Sequence, residues 1–361
     1  MSSEFLEILR ALERERDIPL EVLWEALETA LTNAYKKHCG AVGDVRLRLD
    51  PSKAGVRLFC ERTVVEQVEN PHTQISLDEA RKYKPEADLG DTVSVPVDLE
   101  DFGRIAAQTA KQVIVQRIRE AEREQIYQEF QERVGEILSG FVQRREGPNV
   151  IIDLDRAEAI LPPEEQVPNE PYRPRDRLRV YLLRVERTTK APRIIVSRSH
   201  PSLIRRLFEL EVPEVREGSV VIKAVAREPG GRSKIAVWAK EPNIDPVGSC
   251  VGLRGTRVQA VVNELYDEKI DIIRWYPDPA QFIAEALSPA KVSQVHLNEK
   301  EKSALVVVPD DQLSLAIGKA GQNVRLAARL TGWKIDIRSE SQLAQKGAGD
   351  SHEGTDASGQ E

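Results

Sequence analysis

The stretch Ile317-Gly318-Lys319-Ala320-Gly321-Gln322-Asn323-Val324-Arg325, running on to Trp333-Lys334-Ile335-Asp336-Ile337, reads as a helix end, a Gly-Lys-Ala-Gly loop, a second helix and a strand. Two glycines three apart let the backbone turn tightly and approach a bulky group, because no Cβ stands in the way. The second glycine opens a helix whose free amides and positive dipole end suit a phosphate. Lys319 adds a point charge. In that helix Val324, Ala327 and Ala328 share one face, and Arg325 and Arg329 lie off it.

A single Gly-x-x-Gly is a weak signal, but this one has a counterpart. Val251-Gly252-Leu253-Arg254-Gly255-Thr256-Arg257-Val258 stands upstream and is followed by Lys269-Ile270-Asp271-Ile272. The loops are 66 residues apart and the two Lys-Ile-Asp-Ile strands 65 apart. Such a repeat marks two copies of one module. Each copy reads α-β-β-α-loop-α-β. The first runs through Pro201–Leu210, a hairpin around Pro229-Gly230-Gly231, and the helix Thr256–Leu265 with its Val258, Val261, Val262, Leu265 stripe. Few residues separate the copies, which predicts one rigid pair.

Before the repeats, five short strands are expected in about 65 residues: Gly135–Arg144, Val150–Leu154, Ala157–Leu161, Leu178–Glu186 and Arg193–Arg198. That density fits a small closed barrel of the OB type. Phe141 beside Arg144 and Arg145, and Tyr172 beside Arg173 and Arg175, are its candidate nucleic-acid contacts. Phe141 reads equally as core or as an exposed ring; Tyr172, in a proline-rich loop, reads as exposed. Earlier still, helices over Ser2–Arg16 and Leu20–Lys37, strands over Asp44–Asp50, Gly55–Val68 and Thr92–Val97, a capping box at Ser76-Leu77-Asp78-Glu79 and a long charged helix from Gly103 to Arg133 suggest an α+β scaffold or docking domain.

The fold class is therefore α+β multidomain: residues 1–133 an amino-terminal α+β domain, 134–200 the barrel, 201–277 and 278–341 the two repeats, and 342–361 a disordered acidic tail. Net charge is −7, with the acid concentrated in residues 1–133 and the tail. Bulk charge cannot drive nucleic-acid binding, so any contact must come from local placement. No apolar run approaches the roughly 20 residues that span a bilayer, and the start carries no signal-peptide pattern. Three scattered cysteines, Cys39, Cys60 and Cys250, fit neither a disulfide framework nor a metal quartet. The reading is a cytoplasmic protein with no metal, no cofactor and no catalytic nucleophile–base pair. Gly318-Lys319 lacks the Ser or Thr and the earlier glycine of a Walker loop. Asp310-Asp311 reads as a helix cap rather than a carboxylate pair.

A loop between two helices with this spacing is how a KH module clamps about four nucleotides of single-stranded RNA. The candidate RNA contacts are Gly252, Leu253, Arg254, Gly255 and Arg257 in the first copy. In the second they are Gly318, Lys319, Ala320, Gly321, Gln322 and Arg325, with Phe141, Arg144 and Tyr172 on the barrel. Trp275 and Trp333 read as strand packing.

The order of a ribosomal S-one-type barrel followed by two KH modules of the prokaryotic type resembles the NusA family of bacterial transcription elongation and termination factors. The residues that carry it include Arg198-Ser199-His200-Pro201, Phe208-Glu209-Leu210-Glu211-Val212-Pro213-Glu214-Val215, Asp245-Pro246-Val247-Gly248-Ser249-Cys250-Val251-Gly252 and Gly321-Gln322-Asn323-Val324-Arg325-Leu326-Ala327. The resemblance implies a non-catalytic, monomeric factor. It would dock on core RNA polymerase at the β-subunit flap near the RNA exit, hold single-stranded nascent RNA and work with other Nus factors in pausing, intrinsic termination and antitermination. Two alternatives are a ribosome-assembly or translation factor using the same modules, and an exoribonuclease, for which the module order is reversed and the catalytic domains are missing. Some relatives of the resembled family carry acidic repeats after the second KH module that mask the RNA surface, and here a short acidic tail stands instead. RNA binding without an activating partner is expected, so the full chain and a chain ending near Arg338 should bind single-stranded RNA with equal affinity in a titration. Far weaker binding by the full chain would overturn this.

Overall fold

Leu23, Leu27 and Leu31 recur every four residues, so one side of a helix becomes continuously apolar. In the computed structural model, which describes residues 20–39, 46–52, 55–96 and 99–343, these three leucines are fully buried along helix α1 (Leu20–Cys39). The expected helix over Ser2–Arg16 and the tail beyond residue 343 lie outside the described residues. The chain divides into two compact units, 1–128 and 129–361.

In the first unit β2 (Gly55–Val65) is central. It pairs antiparallel with β1 (Arg46–Ser52) and β4 (Thr92–Pro96), and in parallel with the short β3 (Gln74–Ser76). Ser76 caps α2 (Leu77–Ala80), its Oγ accepting from the Glu79 amide, as the capping-box pattern predicts. Val64, Ile75, Ala80, Ala87, Val93 and Val95 form the core here. The long helix α3 (Leu99–Glu132) and α1 enclose an open cleft of about 700 Å³. Among the described residues no helix is long and apolar enough to cross a membrane, and no His, Cys, Asp and Glu cluster could hold a metal.

The second unit opens with the barrel. Strands β5 (Ile137–Glu146), β6 (Asn149–Asp153), β7 (Glu158–Leu161), β8 (Arg177–Glu186) and β9 (Arg193–Ser197) close in the order β5-β6-β7-β9-β8. Alternate residues such as Leu138, Val142, Val180 and Leu182 fill its interior.

The first repeat comprises α4 (Pro201–Glu211), α5 (Pro213–Arg216), the hairpin β10 (Val220–Glu228) and β11 (Arg232–Ala239), α6 (Pro246–Val251), α7 (Thr256–Glu264) and β12 (Lys269–Arg274). The second comprises α8 (Pro279–Ala286), β13 (Gln294–Asn298), β14 (Ser303–Val308), α9 (Leu313–Ile317), α10 (Gln322–Thr331) and β15 (Lys334–Ser339). In each, the first two strands pair antiparallel and the last joins the middle strand in parallel. The turn α5 has no equivalent in the expected pattern. Asp310 does not cap the turn it begins; its Oδ1 accepts from the Ser341 hydroxyl at 2.6 Å instead.

One apolar core runs through both repeats. Ala226, Ala236 and Ile273 of the first share it with Ala286, Leu326, Ala327 and Leu330 of the second, and Trp275 and Trp333 pack against it, as expected of strand-packing rings. On its other face the first sheet packs against its own helices through Leu203, Leu207, Phe208, Val237 and Val261.

The barrel is tied to the first repeat by a buried guanidinium. Arg198, fully buried, donates through Nε to Glu170 Oε2 at 2.8 Å and through Nη2 to Glu170 Oε1 at 2.5 Å. Its Nη1 reaches the Arg179 carbonyl at 2.7 Å and Glu264 Oε1 at 3.2 Å, and Nη2 the Glu264 carbonyl at 2.8 Å. A second buried pair, Arg227 with Glu268, lies within the first repeat and also binds the His200 carbonyl at 3.1 Å. Removing one partner of such a pair strands a charge away from water. Arg198→Ala should therefore cost about 3–5 kcal/mol of unfolding free energy, read as a lowered denaturant midpoint of the second unit. A loss under 1 kcal/mol would show that Glu170 finds other solvation.

Candidate nucleic-acid interface

The two Gly-x-x-Gly loops have the same backbone. Gly252 has φ 75° and ψ 173°, and Gly318 has φ 76° and ψ 172°. This region is in effect reserved for glycine. The third residue is left-handed in both, Arg254 at φ 51°, ψ 28° and Ala320 at φ 52°, ψ 31°. Gly255 and Gly321 follow, also left-handed, and begin helices α7 and α10. Between the glycines the two loops share no residue, so the glycine spacing sets the conformation. A turn residue followed by a left-handed one aims successive amides into one concavity, which suits an anion. At the tips Leu253 is 83% exposed, and Arg254, Lys319 and Ala320 are exposed as well.

The fifth residue after the first glycine anchors each loop. In the second copy this is Asn323, buried, whose Nδ2 donates to the Leu287 carbonyl at 2.9 Å and the Ala316 carbonyl at 3.1 Å. A Cβ on Gly318 would lie 2.8 Å from both the amide nitrogen and Cβ of Asn323. In the first copy the equivalent is Arg257. Its stem lies against Gly252, and its Nη1 donates to the Ser249 carbonyl at 2.6 Å and to Glu214 at 3.0 Å. Arg257, expected on the phosphate side, is half-buried and gives its Nη1 to the end of α6 and to Glu214. Sequence reasoning missed Asn323 as an anchor. The shared offset of five from the glycine was the available signal.

Gln322 and Arg325 also have partners within the protein. Gln322 Nε2 donates to Glu228 Oε2 at 2.9 Å, and Arg325 Nε to Glu228 Oε1 at 2.5 Å. Arg329 lies 3.9 Å from the same carboxylate. These donors hold Glu228 below the usual carboxylate range, the Arg325 hydrogen bond contributing most. The buried stripe of α10 is Asn323, Leu326, Ala327 and Leu330, rotated from the Val324, Ala327, Ala328 face that periodicity suggests. The helix packs against both its own sheet and that of the first repeat, and that double contact turns it.

On the barrel, Phe141 is 55% exposed, which settles its open reading in favour of the surface. Across the sheet it is paired with Arg177, also exposed, and this cation beside the ring was not legible from neighbouring sequence. Arg144 is exposed but forms ion pairs with Glu146 at 2.7 Å and Glu158 at 2.9 Å. Tyr172 is not exposed: it is 3% accessible, and its hydroxyl accepts from the Val167 amide at 2.7 Å. Burial pushes its ionisation well above the usual range. A proline-rich loop can fold inward when its one aromatic hydroxyl finds a donor, and the burial leaves Tyr172 no open face for stacking.

A closed five-stranded barrel leading into two tandem KH modules, with both loops open to solvent, defines a multi-module RNA-binding protein. Residues 4–124 match the NusA N-terminal domain, 198–275 the NusA-like first KH domain and 279–345 the NusA-like second KH domain. The chain is 53% identical over 347 residues to the transcription termination/antitermination protein NusA of Halalkalibacterium halodurans, covering 96% of this chain and 91% of that protein. It is 54% identical to the protein of the same name from Bacillus subtilis, covering 96% and 94%, and 44% identical to that of Thermus thermophilus, covering 93% and 89%. The chain belongs to the NusA family.

The loop geometry separates its own glycines. Gly318→Ala forces an L-residue into a glycine-only region against the backbone of Asn323, and should cost about 1–3 kcal/mol and weaken RNA binding. Gly321→Ala is also left-handed, but its Cβ would meet only Val324 Cγ1 at 4.0 Å, so it should cost less. Thermal unfolding of both variants checks the order, and equal losses would count against the Asn323 anchor.

Proposed function

We propose that this chain is a transcription factor that binds RNA polymerase and nascent single-stranded RNA and so modulates pausing, intrinsic termination and antitermination. The observation that carries the reading is the pair of solvent-open Gly-x-x-Gly loops with the same backbone, on two repeats joined by a shared apolar core. Two loops held at a fixed separation grip one strand with the affinity of both, because the second contact forms at high effective concentration. Arg254 and Lys319 supply the charge for phosphates, and the amides of the concave turn supply direction. Phe141 with Arg177 offers a stacking surface on the barrel. The division of labour follows the modules: residues 134–200 with 201–277 and 278–341 hold RNA, and residues 1–133 dock on the polymerase.

In the amino-terminal unit the cleft between α1 and α3 suits a protein partner, with Val22, Ala26 and Ala30 beside Glu25, Arg117 and Glu120. We assign this cleft to the β-subunit flap of core polymerase near the RNA exit. The factor acts in the cytoplasm as a non-catalytic monomer, without cofactor, alongside other Nus factors. The relatives named above carry transcription termination/antitermination in their names, and this favours the reading over a ribosome-assembly factor built from the same modules.

Replacing Leu253-Arg254 and Lys319-Ala320 together by Asp-Asp pairs should lower affinity for single-stranded RNA by at least about tenfold, since charge and both grips are lost. The thermal transition should stay in place. Crosslinking of the full chain to core polymerase should survive these changes and place residues of α1 or α3 on the flap. Unchanged RNA affinity would count against the loop assignment, and absence of any polymerase crosslink would favour the ribosome-assembly reading.

A further inference from the structure

Glu228, the last residue of β10, is presented by a braced hairpin tip. The Gly230 amide donates to Glu268 Oε2 at 2.8 Å, and the Gly230 carbonyl accepts from Asn169 Nδ2 of the barrel at 3.0 Å. From that tip the Glu228 carboxylate occupies a cradle on the second repeat: Gln322 on one oxygen, Arg325 on the other and Arg329 just beyond. All three cradle residues lie off the buried stripe of α10, which begins immediately after the Gly-Lys-Ala-Gly loop. Arg325 Nη1 also reaches back to the Ala320 carbonyl at 3.4 Å, so the cradle adjoins the loop.

Holding the repeats together does not require this contact. The shared core seats Ala226, Ala236 and Ile273 of the first repeat among twelve buried apolar residues of the second, whereas an ion pair open to solvent adds little. Apolar burial outweighs it. What the carboxylate does is neutralise two arginines beside an anion-binding loop. A carboxylate held by a guanidinium and an amide is chemically a stand-in for a phosphate oxyanion, since the same forked donors bind both. Arg325 and Arg329 remain about half exposed, so a phosphate can reach them from solvent.

We propose that Gln322, Arg325 and Arg329 form a further phosphate subsite for single-stranded RNA, in which the Glu228 carboxylate is an internal competitor that RNA displaces. The inference rests on the RNA-binding reading above. With Glu228 in place, a strand gripped by the Lys319 loop must exchange its next phosphate for the carboxylate. The exchange nearly balances in charge, so contact at this subsite adds little net affinity and releases few counterions. A strand that also engages the first repeat brings its phosphates at high effective concentration and displaces Glu228. A short strand touching only the second loop does not. Glu228 thus biases the pair against short or fragmentary RNA.

The test uses the full chain and a single-stranded oligoribonucleotide long enough to span both loops, with affinity measured by fluorescence anisotropy across a salt series. Glu228→Gln keeps an acceptor for Gln322 and removes the charge. It should tighten binding by about two- to tenfold at low salt. The plot of log affinity against log salt should steepen by about 0.7 for each phosphate newly neutralised. Adding Arg325→Gln and Arg329→Gln should abolish both the gain and the extra slope. A gain that survives loss of both arginines comes from overall charge and overturns the subsite. Unchanged or weaker binding by Glu228→Gln, with an unshifted thermal transition, overturns the competitor role and leaves Glu228 a positioning contact. Absence of RNA binding by the unsubstituted chain would overturn both this inference and the reading it rests on. Loop-dependent binding without the gain would overturn only the former.

Discussion

The second unit depends on the apolar seam between the two repeats. Ala226 and Ala236 on the outer face of the first sheet are small enough for helix α10 of the second repeat to lie directly on the strands, and Leu326, Ala327 and Leu330 complete the contact. The first module alone would expose one side of its sheet. The second repeat covers that side, and burial at roughly 25 cal/mol per Å² of apolar surface makes the pair one body. Separation and relative direction of the Gly-x-x-Gly loops follow from that seam. Two weak grips then act as one.

Buried charge extends the same rigidity to the barrel. Arg198 and Arg227 are both buried, each facing a buried glutamate, and both also bind backbone carbonyls. Such pairs add little stability over an apolar substitute, but they tolerate only one geometry because every donor needs its acceptor. Arg198 joins the end of the barrel to the end of α7, while His200 caps α4 and stacks on Tyr181 with centroids 4.7 Å apart. The polar contacts therefore specify the angle between barrel and repeats, and the apolar seam supplies the free energy.

Much of the architecture was legible because it depends on local patterns. Alternation marked the barrel strands to within a few residues, and the capping box at Ser76 formed as read. What was not legible has a common cause. Tyr172 looked exposed because its neighbours are prolines and arginines, yet it is buried, with its hydroxyl on the Val167 amide. Arg257, Gln322 and Arg325 have internal partners that the local sequence does not show, because no acid stands nearby. Their partners are Glu214, 43 residues earlier, and Glu228, 94 and 97 residues earlier.

By itself, the sequence determined that there are two modules and that each carries a sharp Gly-x-x-Gly loop, since a glycine-only backbone conformation is a local property of that spacing. It also determined the barrel, through the two-residue period of its strands. Only the tertiary structure decided which charges remain available. Availability is a matter of distance between groups far apart in the chain, and folding brings Glu228 to Arg325 while leaving Arg254 and Lys319 in solvent.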